Sequence, residues 1–523
     1  MVNFDDPYQT EIVQFTLPFS GRLNLNNKWI RLAKMIPWEE LAGKYTKKMC
    51  KDFGRMSIKP RVAIGALIIK HFKQMSDEDT IEEIQENPYL QYFLGYSSYQ
   101  LKPCFDSSLF VTIRRRLSAR AIEAINEIFV LKVKELEVIE SEKKRSCKPP
   151  KSPKSGGQQT TLPGITETTN RGKLIVDATI APSNIKYPTD LDLLNDSREI
   201  SEQLIDKLYS NGQYDQKPRT YRQLARRDYL NIIKKKRRGK KCLRNGIRKQ
   251  LQYLRRNLSH IDKMLMTLKE NPEALNCREM DLLNVIRNVY IQQQEMYVKR
   301  SHTVKDRIVS IHQPYIRPMV RGKAGKNVEF GAKMSLSVVD KFLFLDHLRW
   351  NPFNENLDLI AQVNKYRRRF GFFPAVVIAD GIYGTQKNRQ YLKQYKIRFF
   401  PSETPAGAGK KLGRPPKEID AIGREMERLR KLEQGERNEV EGKIGTAKTR
   451  YGLGKVMTKT EATSESWIAM AILSMNMATA LRLSAKQVGK FLFSLYIKVR
   501  NWLKTWFDWE LKYNNQGIMV AGA

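Results

Sequence analysis

Apolar and polar positions follow three rhythms along this chain, and each predicts its own kind of element. The first is helical. Residues 60–70 begin with Pro60 and are apolar on most sides, which predicts a buried helix with proline in its first turn. Ser76 stands ready to cap a helix over 77–85, whose acidic first turn suits the positive end of a helix dipole. Asn87-Pro88 opens a short aromatic segment over 89–94, and Asp106 can cap a further helix that carries Arg114, Arg115 and Arg116. Trp29, Trp38 and Phe53 read as core residues of this all-helical region, which is expected to span 1–142.

The second rhythm is the short, continuous, β-branched run of a buried strand. Residues 173–177 and 375–380 are such runs, and they close on Asp177 and Asp380. Alternation at Met334, Leu336 and Val338 predicts a strand over 331–339, and 342–348 reads similarly. An amphipathic helix over 357–370 should stop at Gly371, with a helix over 386–395 and a short strand over 397–400 to follow. A last helix from about 418 carries glycines at 435, 442 and 445, which predict a break or bend in it.

The third rhythm is a heptad seam, in which Ile247, Leu251, Leu254, Leu258, Ile261, Leu265 and Leu268 alternate steps of four and three. Asn271-Pro272 ends the seam and a second helix over 277–299 can fold back, so residues 197–300 read as a helical hairpin or, alternatively, a dimer-forming coiled coil. This segment is also intensely basic. Between Lys217 and Arg256 there are 17 Lys and Arg against one acid, Asp228, and the run includes Lys234, Lys235, Lys236, Arg237 and Arg238. Exposed cations at this density favour phosphate contacts that bind without reading sequence.

Charge extends that picture to the whole chain. A formal net charge of +38 over 523 residues, with pI near 9.9, implies a polyanionic partner, nucleic acid before anionic membrane. The most apolar stretch, 467–483, contains Ser474, Asn476 and Arg482 and reads as a buried helix; the last eighty residues should complete the core. The N-terminus has no basic region followed by an apolar core, so a cytoplasmic protein is expected. Cys50, Cys104, Cys147, Cys242 and Cys277 form no CxxC pair and read as free thiols, with no zinc site expected. Residues 143–171 are a basic Pro, Ser and Gly-rich linker. Loops at 321–326 and 405–416 are basic and glycine-containing, and the second lacks the spacing of a P-loop.

The candidate chemistry lies on the last helix. At about 100° per residue, Arg437, Glu441 and Lys448 fall within about 40° of one another, so one acid is flanked by two cations on a single stripe. Taken alone, that is an exposed helix with an ion pair. Together with Asp177 and Asp380 it offers three carboxylates, a donor set suited to hard divalent cations acting in phosphoryl displacement. Glu436 and Glu439 are the rival candidates for the third acid.

The order of elements resembles the ribonuclease-H-like fold. More narrowly, Asp177-Ala178-Thr179, Tyr187-Pro188-Thr189-Asp190, Ala379-Asp380-Gly381-Ile382-Tyr383 and the 437–448 segment resemble the DDE transposases of bacterial insertion sequences. Arg437, Glu441 and Lys448 keep the Arg-Glu-Lys part of that group's Tyr-Arg-Glu-Lys signature, whereas its Tyr position falls on Gln434. The interruption after Asp177 also marks a divergent member. The resemblance implies an α+β chain with a ribonuclease-H-like mixed-sheet catalytic domain over 172–196 and 301–483. An all-α DNA-binding domain would precede it, a basic helical insertion over 197–300 would interrupt it, and a helical tail over 484–523 would follow. It further implies that Asp177, Asp380 and Glu441 bind two Mg²⁺, with Mn²⁺ as substitute, for cut-and-paste transposition. Phosphates would be gripped by Arg437, Lys448, Lys234, Lys235, Lys236, Arg237, Arg238, Arg114 and Arg115. The implied partners are double-stranded DNA, at terminal inverted repeats and target, and further copies of the chain in a dimer or larger synaptic complex, associated with the nucleoid. A structure-selective metal-dependent nuclease and a catalytically silent DNA-binding protein are the alternatives.

Overall fold

Seven helices open the described chain: α1 (Lys28–Met35), α2 (Trp38–Thr46), α3 (Pro60–Lys73), α4 (Asp77–Glu86), α5 (Pro88–Leu94), α6 (Leu109–Arg116) and α7 (Ala119–Ser146). The computed structural model describes residues 21–47, 56–146, 170–211, 216–267, 275–320, 328–401 and 421–484, with Leu17 and Met49. Phe53, Leu268, Cys50, Cys147, Asn271-Pro272, the loops at 321–327 and 402–420, most of the linker and the tail from 485 lie outside them.

The helices form for the reasons their sequence states. Pro60 sits in the first turn of α3, which buries every residue from Val62 to His71. Ser76 and Asp79 close a capping box on α4, worth about 1 kcal/mol for the serine cap. Trp29 and Trp38 pack edge-on or tilted against Phe93 and Phe72, at centroid separations of 5.1–5.4 Å. The approach of α3 to α5 needs Gly65, where an added Cβ would lie 2.5 Å from a Leu94 methyl.

The sheet begins with β1 (Lys173–Pro182) and continues with β2 (Arg317–Val320), β3 (Val328–Val339), β4 (Phe342–Arg349), β5 (Val376–Ala379) and β6 (Arg398–Pro401). β3 lies between β1 and β4, antiparallel to both, and β2 extends its first residues. On the other side of β1, β5 and then β6 run parallel. The path β4-β3-β1-β5-β6 therefore puts β1 at the centre of a mixed sheet. One correction to the sequence expectation follows: β1 continues five residues past Asp177, because Ala178–Pro182 pair with 331–335 of β3. Asp177 sits inside the strand rather than at its exit, whereas Asp380 directly follows β5.

Four helices fill the interval between β1 and β2: α8 (Asp190–Asn211), α9 (Arg222–Ile233), α10 (Lys240–Thr267) and α11 (Cys277–Lys299). The heptad residues Leu251, Leu254, Leu258 and Ile261 are buried within the chain, against Leu194, Leu204, Ile205 and Leu208 of α8 and Leu283, Ile286 and Val289 of α11. The main partner of α10 is α8, so the seam belongs to a layered cluster rather than a simple hairpin.

The remaining helices are α12 (Leu359–Phe370), α13 (Gln386–Gln394), α14 (Ala421–Arg450) and α15, residues 461–484. Gly371 ends α12 with φ of +83°, a left-handed position that glycine adopts without strain. Contrary to the expected break, α14 is a single helix of 30 residues. Its glycines cost helix propensity, but Val440, Ile444 and Ala447 are buried where it packs on β1 and β5, and burial outweighs that cost. α15 is long and apolar enough to cross a membrane, yet 89% of its most apolar window is buried within the protein.

Packing separates two compact units among the described residues. One is drawn from the chain up to Ile113, from Glu123 to the end of α7, and from Leu473 onward; the other comprises Arg114–Ile122 and the chain from β1 to Ile472.

Candidate active site

The parallel register of β1 with β5 builds the first half of the site. Ile175 is the last residue of β1 to pair with β5, opposite Ile378; Asp177 lies two residues on within β1, and Asp380 two residues on, just past the end of β5. Asp177 accepts a hydrogen bond from the Ala178 N–H at 2.8 Å. Asp380 leaves β5 as the cap of a 3-10 turn, Gly381–Tyr383, accepting the Gly381 N–H at 2.6 Å.

α14 crosses the same two strands and supplies the rest. Lys173, at the start of β1, binds Glu436 at 2.6 Å and fixes the helix lengthwise. Beyond the helix, the Val456 N–H donates to the Pro182 carbonyl at 2.8 Å, tying the following loop to the far end of β1. Between those anchors, the Arg437 guanidinium lies 3.3 Å from Asp380 and 3.7 Å from Glu441. Of the rival acids, Glu436 is engaged by Lys173 and Glu439 is half-buried. Lys448 follows Glu441 two turns on along the stripe, about 10 Å by helical rise, and is partly buried.

Electrostatics mark the same place. Burial foremost raises the Asp177 carboxyl to about 6; the Glu355 and Glu441 charges add to that, while the Ala178 N–H and Arg437 oppose it. Burial also drives the Tyr383 phenol far above its usual range, and Glu355, Asp177, Asp358 and Asp380 all push it the same way. Tyr383 is fully buried, and among the described residues its hydroxyl has no hydrogen-bond partner.

Two of these groups, Glu355 and Tyr383, lie outside the set the sequence suggests. Glu355 opens a second 3-10 turn, Glu355–Asp358, and binds Lys333 of β3 at 2.9 Å. Buried Asn388 of α13 joins the two turns by donating to the Asn356 carbonyl at 2.8 Å and the Tyr383 carbonyl at 2.9 Å. At the other end of the turn, Asp358 accepts from Ser335 at 2.6 Å and lies 2.8 Å from the His347 ring. The signal available in the sequence was the acid pair Glu355 and Asp358 ahead of α12, which resembles an ordinary acidic helix start.

The structure leaves other expected residues elsewhere. Lys234, Lys235, Lys236, Arg237 and Arg238 are exposed between α9 and α10, with Arg238 folded back on the Ile233 carbonyl at 3.0 Å. Arg115 is exposed, but Arg114 is only 7% exposed, a correction to its expected phosphate role: its position faces inward on α6. Among the described residues no three His, Cys, Asp or Glu side chains already stand close enough to hold a metal ion. Arg437 occupies the gap between Asp380 and Glu441, and Lys333 holds Glu355.

Two family models match the chain: a transposase domain (DUF772) over residues 18–116 and a transposase DDE domain over 377–478. The second contains Asp380, Arg437, Glu441 and Lys448; neither extends over Asp177 or the basic helices. The chain is also similar to a Rhizobium meliloti protein described as uncharacterized protein ORF8 in the nfe locus. That likeness is 28% identity over 172 residues, 32% of this chain and 68% of the relative. No solved structure matches.

Proposed function

We propose that this chain, which carries a transposase domain and a transposase DDE domain, is an insertion-sequence DDE transposase that cleaves DNA at the ends of its element and joins the freed 3′ ends to target DNA. The observation that carries this reading is Asp177 inside β1 and Asp380 just past the end of its parallel neighbour β5, with Arg437 on the helix across them bound to both Asp380 and Glu441. The strand path β4-β3-β1-β5-β6, antiparallel up to β1 and parallel beyond it, supports a ribonuclease-H-like catalytic domain.

The donor chemistry fits a hard divalent cation. The acids offer oxygen alone, and Asp177 is a carboxylate whose charge is disfavoured until a cation compensates it. Asp177, Asp380 and Glu441 would hold Mg²⁺, two ions by the family pattern, with Mn²⁺ able to substitute. Bound there, the metal supplies Lewis acidity at the attacking and leaving oxygens of a phosphodiester.

The chain's own groups have separate tasks. Arg437 keeps Asp380 and Glu441 oriented while the site is empty of DNA, and on release from them it is placed to meet a phosphate. Lys448 grips the backbone two turns along the helix, and both cations stabilise charge at the reacting phosphorus. The exposed run from Lys234 to Arg238 holds duplex phosphates without reading sequence, and Arg115 does so on the helical region. Terminal inverted repeats and target DNA are the substrates, and a dimer or larger synaptic assembly on the nucleoid brings two ends together.

The test is a cleavage and strand-transfer assay on DNA carrying the element's ends, with Mg²⁺. Asp177→Asn, Asp380→Asn and Glu441→Gln are each expected to lower cleavage at least about a hundredfold, the scale of losing one charge-stabilising group at a reacting centre, while DNA binding persists. Cleavage at the wild-type rate by any of the three rejects that residue. Cleavage without joining to target makes the protein a nuclease instead.

A further inference from the structure

The longest helix of the basic insertion, α10, turns one face to solvent, and that face has a single chemical character. Its exposed residues between Lys241 and Lys263 all lie on one stripe: those two lysines mark the ends, with Asn245, Arg248, Gln252, Arg255 and Ser259 between them. At about 100° per residue the whole set falls within about 80°, opposite the buried seam of Leu251, Leu254, Leu258 and Ile261. We propose that this stripe enters the major groove of duplex DNA, where Asn245, Arg248, Gln252 and Arg255 read base edges and Lys241 and Lys263 hold the flanking phosphates. This inference rests on the DNA-partner reading above and adds to it a surface that reads sequence, which the run from Lys234 to Arg238 does not.

Three observations carry it. First, the stripe holds cations, amides and a hydroxyl, with no acid and no apolar side chain. Arginine pairs bidentately with guanine in the major groove, and asparagine and glutamine with adenine, whereas a merely solvated helix face mixes charges of both signs. Second, the acids of this helical cluster are spent on other cations. Asp228 binds Lys249, Asp262 binds Arg287, Asp206 binds Lys217 and Arg222, and Glu279 binds Lys207. Among the described residues no ion pair reaches Lys241, Arg248, Arg255 or Lys263; Arg248 bonds its stripe neighbour Asn245 at 3.0 Å. Third, the dimensions match. Asn245 and Arg255 are about 15 Å apart by helical rise, roughly the length of four base pairs. The full stripe of about 33 Å lets both end lysines reach the backbones that border a groove about 12 Å wide.

Base readout needs a rigid support, and three helices provide it from the sides away from the stripe. Asn257 donates to the Ser201 hydroxyl of α8 at 2.9 Å, Gln250 to the Ala225 carbonyl of α9 at 3.1 Å, and Arg244 to the Tyr297 carbonyl of α11 at 3.1 Å. The exposed cations from Lys234 to Lys240 lead directly into the first turn of α10, so backbone contacts that fix its register on the duplex adjoin the stripe.

The experiment is selection of bound sequences from a randomised duplex DNA library by the full chain, read by sequencing, with melting temperature as the folding check. The wild-type chain is expected to enrich a motif. Gln252→Ala and Arg255→Ala should each lose preference at one or two adjacent positions of it, by about fivefold or more, the worth of one bidentate base contact. Lys241→Gln and Lys263→Gln should lower affinity for every duplex alike and leave the motif intact. Arg255→Lys keeps the charge and loses the planar fork, so the motif should relax while affinity for a duplex lacking it holds; this variant decides the matter if an alanine variant does not fold. A motif unchanged in both Gln252→Ala and Arg255→Lys overturns the inference and leaves the transposase reading standing. So does a wild-type chain that binds duplex without enriching any motif. A wild-type chain that binds no duplex defeats the DNA reading itself.

Discussion

Burial raises the Asp177 carboxyl to about 6, so above that pH the folded chain carries an ionised group in a place that disfavours it. The unfolded chain, with an ordinary carboxylate near 3.8, pays no such cost. Stability is therefore full below about 4 and falls as pH rises through about 6. With divalent cations chelated, Asp177→Asn is expected to stabilise the protein by on the order of 2–3 kcal/mol at pH 7.5, and by nothing at pH 4. Denaturant melts at the two pH values check this, and a variant less stable than wild type at pH 7.5 would refute it. The sequence suggests Asp177, Asp380, Arg437 and Glu441 because strand runs and a helical stripe have a period to read, with Asp380 just past the end of its strand. The two 3-10 turns, Gly381–Tyr383 and Glu355–Asp358, have no such signal, since they carry no hydrophobic period and are joined by Asn388, 33 positions from Glu355.

The same contrast governs α14. Gly435, Gly442 and Gly445 read as a break or bend by propensity, yet tertiary burial of Val440, Ile444 and Ala447 keeps the helix whole. An added Cβ at each of these glycines meets open space. Gly435→Ala, Gly442→Ala and Gly445→Ala should each stabilise the free protein by about 0.5–1 kcal/mol, read as a rise in melting temperature. Gly331 is the opposite case, because a Cβ there would lie 2.0 Å from the Ala181 carbonyl oxygen of β1. Gly331→Ala is expected to lower the melting temperature, and an unchanged value would contradict the close pairing of β3 with β1. Sequence marked the strand and the helix; it did not mark which glycines the packing needs.

At the scale of the molecule, charge is the property most directly inherited from composition. A net +38 needs no fold to predict a polyanionic partner. The exposed cluster of Lys234, Lys235, Lys236, Arg237 and Arg238 localises part of that charge. Changing all five to glutamine should flatten the slope of log affinity for duplex DNA against log salt by up to about 4.5, at about 0.9 per phosphate contact. An unchanged slope would place the cluster away from the DNA. Sequence by itself determined the charge, the helical N-terminal region, the strand that carries Asp177 and the strand that Asp380 follows, and the stripe of Arg437, Glu441 and Lys448, because periodicity and composition are local. The tertiary structure alone decided that β1 runs on beyond Asp177, that α10 buries its seam chiefly against α8, that Arg114 turns inward, and that Asn388 joins the two 3-10 turns. Those outcomes depend on strand register and on contacts between residues far apart in the chain, where burial and pairing energies outweigh anything a single segment prefers.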